Sequence, residues 1–258
     1  MIKVLELFSG TGSVGKCCKE LGWDVVSVDL LLPADHEVDI LDFDYKQYPQ
    51  DNFDIVWASP PCTEYSNLKN CWIGRKNNKT GITLTREGLE ELRKESDKLI
   101  AKTLEIINYF KCELWFMENP QRGQLKDREI VKDIPFYDVS YCMYSDWGYE
   151  KRTRIWTNKK DWNNLICDKS GACGNMIEIP SNGIIKSDTE KLQAVRKHKL
   201  NVSIDVHTVG EKKRRHKKGI GLGKKQTDAG QVSVKGGGSN RLDRYRIPPD
   251  LIYSLFLD

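Results

Sequence analysis

With 258 residues, 39% of them hydrophobic and 30% charged, the chain can bury a full α/β core and carry a small appended module. No apolar run reaches membrane-spanning length, and the first residues read as a core strand rather than a leader. A membrane protein and a secreted disulfide scaffold are therefore not expected, and the eight cysteines should be thiols of an intracellular protein, cytoplasmic or nuclear. The net charge of +4 is too small by itself to name a partner.

Ile2 to Phe8 is an apolar strand. Ser9 to Gly15 follows as a turn with glycines at 10, 12 and 15, and Val14 to Leu21 has the pattern of a helix. Glycines between a strand and a helix let the backbone approach a ligand closely. Asp24 to Val28 is a second strand ending in Asp29, and a short third element leads to Asp39 and Ile40. Asp29 could accept hydrogen bonds from a ribose diol, and Asp39 could meet an adenine amino group. Together with the turn they describe a nucleoside-type cofactor lying across the strand ends. Tight turns with ordinary loop acids would give the same residues.

Phe53 to Ala58 is a buried strand that runs into Ser59-Pro60-Pro61-Cys62. Two prolines cannot continue a sheet, so the Cys62 thiol is presented on a stiff loop at a strand end, a setting that suits a nucleophile. Residues 63 to 84 have little periodicity and carry Lys69, Arg75, Lys76 and Lys79, a long loop of the kind that is functional or mobile. Thr85 then caps a helix whose apolar face is Leu89, Leu92, Leu99, Thr103, Ile106 and Phe110.

Leu114 to Met117 is the next buried strand, and Glu118 emerges from it beside the cysteine strand. A carboxylate there can hydrogen-bond a ring nitrogen, or it can cap a following helix. Further strands are expected near Tyr137 to Tyr144 and Thr153 to Thr157. Arg152 and Arg154 alternate, so both point to one face and could hold an anion or a polarised base; a solvent-facing strand edge is the other reading. Strands alternating with helices predict one mostly parallel, doubly wound α/β sheet.

After about Asn158 the chain becomes rich in Lys, Asn, Gly and Ser, which predicts a small irregular module over 158–240. Its segment 212–225 carries Lys212, Lys213, Arg214, Arg215, Lys217, Lys218, Lys224 and Lys225 with no acid among them. Phosphate would neutralise such a run, and a solvated loop or a nuclear address would also explain it. Cys167 and Cys173 flank a Gly-containing turn, and a zinc site with His198, His207 or His216 is conceivable, but the spacing fits no standard site and no metal is expected. Order returns at Arg244 to Leu257, where Pro248-Pro249 precedes a short amphipathic helix.

These blocks, in this order, resemble the cytosine-C5 DNA methyltransferases over residues 1 to about 157 and the tail near 240–258. Leu7-Phe8-Ser9-Gly10-Thr11-Gly12 is similar to the family's S-adenosylmethionine turn, and Ser59-Pro60-Pro61-Cys62 to its nucleophile motif. Glu118-Asn119-Pro120 resembles its Glu-Asn-Val motif with proline for valine, and Glu150-x-Arg152-x-Arg154 its Gln-x-Arg-x-Arg motif with glutamate for glutamine. Arg246-Ile247-Pro248-Pro249 resembles the Val-Pro-Pro helix that closes the cofactor pocket. No clear counterpart of the motif that scaffolds the target-recognition domain is visible, and the short chain is more like compact phage or large-virus members.

The resemblance implies a Rossmann-like S-adenosylmethionine-dependent methyltransferase sheet (1–157), a small target-recognition module (158–240) and a C-terminal segment (241–258) returning to the catalytic domain. It implies catalytic roles for Cys62, Glu118, Arg152 and Arg154, and cofactor contacts from Phe8, Ser9, Gly10, Thr11, Gly12, Asp29, Asp39, Ile40 and Pro60. Substrate contacts would come from Pro61, Ser66 and Asn119, and DNA-backbone contacts from Lys212, Lys213, Arg214, Arg215, Lys217 and Lys218. The implied reaction methylates C5 of a cytosine flipped out of double-stranded DNA, through a Cys62–C6 adduct, under a lid formed by the loop after Cys62. A monomer is expected. A tRNA-directed relative would share the Pro-Pro-Cys and Glu-Asn pairs but would carry a Cys-Phe-Thr sequence that is not present here; a catalytically weak nucleic-acid binder is the reading from a different class.

Overall fold

The structure is a computed structural model that describes residues 1–77, 80–146, 150–170, 172–174, 176–178, 192–194 and 245–257. Seven strands make one sheet: β1 (Lys3–Leu7), β2 (Asp24–Asp29), β3 (His36–Glu37), β4 (Ile55–Ala58), β5 (Leu114–Pro120), β6 (Phe136–Ser140) and β7 (Arg152–Thr157), in the order β3-β2-β1-β4-β5-β7-β6. The run from β3 to β5 is parallel, and β7 pairs antiparallel with β5. The strand order reverses between β1 and β4, which is where open α/β sheets hold ligands. This is the expected Rossmann-like α/β sheet.

The central strands β1, β4 and β5 are buried on both faces over most of their length, so they read as apolar runs rather than as alternations. Leu5 and Leu7 of β1, Val56 and Ala58 of β4 and Met117 of β5 belong to one core cluster with Ile100, Ile106, Ile107 and Phe110. Those last residues come from α2 (Arg86–Tyr109) and its end. On alternate positions, Trp57 and Phe116 face Phe256, with ring centroids 6.1 and 5.5 Å away. Phe256 belongs to α3 (Pro249–Leu257), which packs against α1 (Ser13–Glu20).

Thr85 caps α2 as expected, its Oγ1 accepting from Gly88 N at 3.0 Å. Leu92 differs from expectation: it is 41% exposed, in a stretch of α2 between Leu89 and Ile100 that has no buried residue. The strand expected over 137–144 is shorter, with β6 giving way after Ser140 to a 3-10 turn at Tyr141–Met143. The loop 63–84 has structure of its own: a 3-10 helix at Asn67–Trp72, then an antiparallel bridge between Lys76 and Thr83.

The chain forms two compact units. The first is Met1–Val139, Arg152–Leu165 and Ile247–Asp258; the second is Ser140–Lys151 and Ile166–Arg246. The second unit contains an antiparallel ribbon of β8 (Met176–Glu178) and β9 (Leu192–Ala194). No helix among the described residues is long and apolar enough to cross a membrane.

Candidate active site

Strand register puts four turns on one level. Leu7 pairs with Val28 and with Ala58, and Ala58 pairs with Met117. The residues that come next are Phe8, Asp29, Ser59 and Glu118. The Gly-containing turn, the Asp29 turn, the cysteine loop and the glutamate therefore share the C-terminal edge of the first unit's sheet. Ser9 N donates to Val28 O (3.1 Å) and Ser59 N to Leu7 O (3.2 Å), which sews neighbouring turns together.

The first turn is built on left-handed backbone. Phe8 has φ 55, Gly10 φ 54 and Gly12 φ 66. For a phenylalanine this conformation costs on the order of 1–3 kcal/mol, and such residues gather at ligand clamps. At Gly12 the space a side chain would fill is open, with nothing within 4 Å of a Cβ placed there. Thr11 Oγ1 and Ser13 Oγ lie 3.1 Å apart, and Ser13 Oγ also accepts from Ile247 N at 3.2 Å, so the Arg246-Ile247-Pro248-Pro249 segment returns its Ile247 to this turn. Behind it, Glu6 of β1 is 3% exposed and takes the N–H groups of Val14 (3.2 Å) and Gly15 (3.0 Å), the first turn of α1. Burial raises the Glu6 carboxyl to about 7, against the two backbone donors, which pull it down. The one signal that marks Glu6 in the sequence is its charge inside the apolar run Ile2 to Phe8.

Asp29 is more engaged than its place at a strand end predicts. Its Oδ2 accepts from Gly10 N (2.9 Å) and its Oδ1 from Leu31 N and Leu32 N (both 2.8 Å). An ionised carboxylate offers about four acceptor positions, so about one remains for a ligand hydroxyl. Asp39 Oδ1 accepts from Leu41 N at 2.9 Å, and Ile40 beside it is buried.

The cysteine loop is held from several sides. Ser59 Oγ accepts from Trp57 Nε1 at 2.9 Å. Pro60 is buried, and its carbonyl accepts from Asn119 Nδ2 at 2.9 Å. Pro61 is exposed and Cys62 half-buried. Beyond them Tyr65 is fully buried; its carbonyl accepts from Gln124 N (2.7 Å) and its hydroxyl donates to Asp97 Oδ1 (2.9 Å). Arg128 grips the same Asp97 through Nε (3.1 and 3.0 Å) and also reaches Glu90 at 2.5 Å. Asn67 Nδ2 donates to Arg122 O, and Ser66 Oγ accepts from Leu68 N at 3.3 Å, capping the following 3-10 helix. Tyr65, Asp97 and Arg128 carry no local motif, so sequence reading does not find them.

Glu118 is buried at 6% exposure, next to Asn119 at 1%. Asn119, expected to face the substrate, is turned into the Pro60 loop, and its Oδ1 is buried with no hydrogen-bond partner. Arg154 stands opposite Asn119 in the β5–β7 ladder. Its guanidinium forms a two-pronged ion pair with Asp138 of β6 (2.8 and 2.9 Å) and lies over the Phe136 ring at 3.4 Å. Arg152 begins β7 and its carbonyl accepts from Gln121 N at 3.0 Å. Lys212, Lys213, Arg214, Arg215, Lys217 and Lys218 lie outside the described residues.

Comparison with known proteins gives a relative of viral origin. The chain is 41% identical over 184 residues to a protein named probable DNA (cytosine-5)-methyltransferase in Frog virus 3 (isolate Goorha), covering 70% of this chain and 82% of that protein. No family model matches. Among solved structures, the Entamoeba histolytica methyltransferase EhMeth is 13% identical with a TM-score of 0.49, covering 99% of this chain and 96% of that one. A putative DNA modification methyltransferase from an E. coli prophage is 14% identical with a TM-score of 0.41; the match covers 61% of this chain, which spans 46% of that one.

Proposed function

Because this chain belongs to the DNA (cytosine-5)-methyltransferase family, we propose that it moves a methyl group from S-adenosylmethionine to C5 of a cytosine flipped out of double-stranded DNA, by way of a transient bond from Cys62 Sγ to C6. The observation that carries the reading is the junction of β4 and β5. The loop bearing Cys62 follows β4 next to the part of β5 that bears Glu118, and the two are joined by the Asn119–Pro60 hydrogen bond.

The residues have separable tasks. Cytosine C5 is a poor nucleophile. Addition of the Cys62 thiolate to C6 breaks the ring's aromaticity and pushes electron density onto C5. Glu118 hydrogen-bonds N3 and the exocyclic amino group, so a proton shared at N3 stabilises the adduct. When bound, S-adenosylmethionine supplies an electrophilic methyl group. After C5 is methylated, its proton passes to a water molecule acting as base, the C5–C6 double bond re-forms and the Cys62 thiolate is expelled, leaving 5-methylcytosine. The open backbone at Gly12 and the remaining acceptor position of Asp29 fit a nucleoside cofactor, with Asp39 and Ile40 at its far end.

Arg154 fixes β7 against β6 through Asp138, and Arg152 on the same strand face is assigned to the base or its sugar-phosphate. The chain segment 158–240 is assigned to target recognition, with Lys212 to Lys218 on the DNA backbone. The decisive experiment uses DNA containing 5-fluorocytosine, which blocks loss of the C5 substituent. Wild-type protein with cofactor should become covalently attached to it and Cys62→Ser should not. Methyl transfer to tRNA without attachment to DNA would overturn the reading.

A further inference from the structure

The proposed reaction uses one of the eight cysteines. Three others converge in the second unit, from distant parts of the chain. Cys142 sits in the 3-10 turn Tyr141–Met143 after β6, whereas Cys167 and Cys173 bracket a turn that follows β7. Their three sulfurs lie within 4.8 Å of one another, with Cys167 Sγ and Cys173 Sγ 3.8 Å apart. Two sulfurs bound at about 2.3 Å to one tetrahedral ion are separated by about 3.8 Å, so this pair already spans one edge of a zinc–thiolate tetrahedron. A disulfide would need the sulfurs at about 2.05 Å.

The backbone around the cluster is shaped to hold that arrangement. Cys167 N donates to Ser140 Oγ at 3.1 Å, which fastens the later segment to the one that carries Cys142. Asp168 Oδ1 accepts from Ser170 N (2.9 Å) and Ser170 Oγ from Ala172 N (3.3 Å), closing the turn. Lys169 at φ 66 and Gly174 at φ 67 are both left-handed, and the turn they frame returns Cys173 to Cys167. Cys142 and Cys167 are each 1% exposed, and Cys173 is half-buried.

We propose that Cys142, Cys167 and Cys173 bind one zinc ion as a structural site that ties the two chain segments of the second unit together. Zn²⁺ is the ion of choice because three soft thiolates select a d¹⁰ cation, and a structural site closes its fourth corner with one further ligand. Three S–Zn bonds form, the three thiol protons leave to solvent, and no electron is transferred. Spacing alone hides the site, because its third sulfur comes from before β7.

The test is metal analysis of the full chain expressed with added zinc and purified in reducing buffer without chelator. One zinc per chain is expected, with X-ray absorption at the zinc edge showing three sulfurs at about 2.3 Å. Cys167→Ser and Cys173→Ser should each lower the zinc content at least tenfold, and Cys112→Ala should leave it unchanged. Because the serine variants could misfold, the wild-type protein stripped of metal and refilled with Co²⁺ gives an independent reading: sulfur-to-cobalt charge transfer and tetrahedral d–d bands. Wild-type protein that takes up neither ion, that retains zinc in both serine variants, or that holds a Cys167–Cys173 disulfide under the reducing conditions would overturn the proposal.

Discussion

Asn119 Nδ2 donates to the main-chain carbonyl of Pro60 across 2.9 Å, so the strand that carries Glu118 also holds the loop that carries Cys62. Both ends of this bond are buried. A buried bond of this kind contributes about 1 kcal/mol, and leaving the carbonyl unpaired costs about 1–3 kcal/mol. Its larger consequence is geometric, because the Cys62 loop and the Glu118 strand are set relative to one another before any ligand arrives.

Asn119→Asp replaces the donor by an oxygen facing the Pro60 carbonyl. Folding stability should fall by about 1–3 kcal/mol in urea titration. In single-turnover assays the methyl-transfer rate should fall by about 10- to 100-fold. DNA affinity should change little, since the variant alters position rather than contact. An unchanged rate in a folded variant would remove Asn119 from this role.

Glu6 makes stability depend on pH. Between its ordinary value of 4.5 and its folded value of about 7, the folded chain keeps a proton that the unfolded chain has released. The contribution is therefore complete below pH 4.5 and is lost as the pH rises to about 7, a fall of at most about 3 kcal/mol. Glu6→Gln cannot ionise, so its stability curve should run flatter than wild type across that window. Parallel curves from chemical denaturation at several pH values would contradict the assignment.

Gly15 has a packing reason to be glycine. A Cβ there would come within 2.7 Å of Glu6 Oε2 and 3.4 Å of Val25 Cγ1. Glu6 cannot swing away without giving up the Val14 and Gly15 N–H groups. Gly15→Ala should cost about 1–3 kcal/mol, comparable to other overpacked core positions. In a Glu6→Ala background the same change should cost less, and additive losses in that double-mutant cycle would show that the two residues are not coupled.

Tyr65 anchors the far end of the cysteine loop on Asp97, which Arg128 holds in turn. Tyr65→Phe keeps the ring and deletes a bond to a charged group, worth about 1.5–3 kcal/mol. Thermal unfolding should register that loss, and crosslinking to 5-fluorocytosine DNA should slow. A variant as stable as wild type would mean that the Asp97–Arg128 pair holds the loop unaided.

Much of the scaffold is legible without coordinates because its signals are local. The apolar runs ending at Phe8, Ala58 and Met117, the glycines at 10 and 12, the double proline before Cys62 and the Thr85 cap each act within a few residues. They are enough to predict the parallel core and the loops that leave it. Leu92 shows where periodicity stops being informative: helical spacing says which face a leucine is on, not whether another part of the fold covers it.

The partners of individual polar groups are decided at longer range. The sequence by itself determined a sheet with a buried parallel centre, the stiff loop that carries Cys62 and the strand that carries Glu118 beside it, because backbone sterics and hydrophobic periodicity operate over one or two turns. The tertiary structure decided that Asn119 serves Pro60, that Arg154 pairs with Asp138, that Asp29 is largely taken up by three backbone N–H groups, and that Cys142 meets Cys167 and Cys173. Apart from the Leu31 and Leu32 N–H groups, which reach Asp29 within its own turn, each of these depends on strand register or on the meeting of separate segments, and a hydrogen bond, ion pair or thiol cluster exists only once packing has brought its two ends within about 3–4 Å.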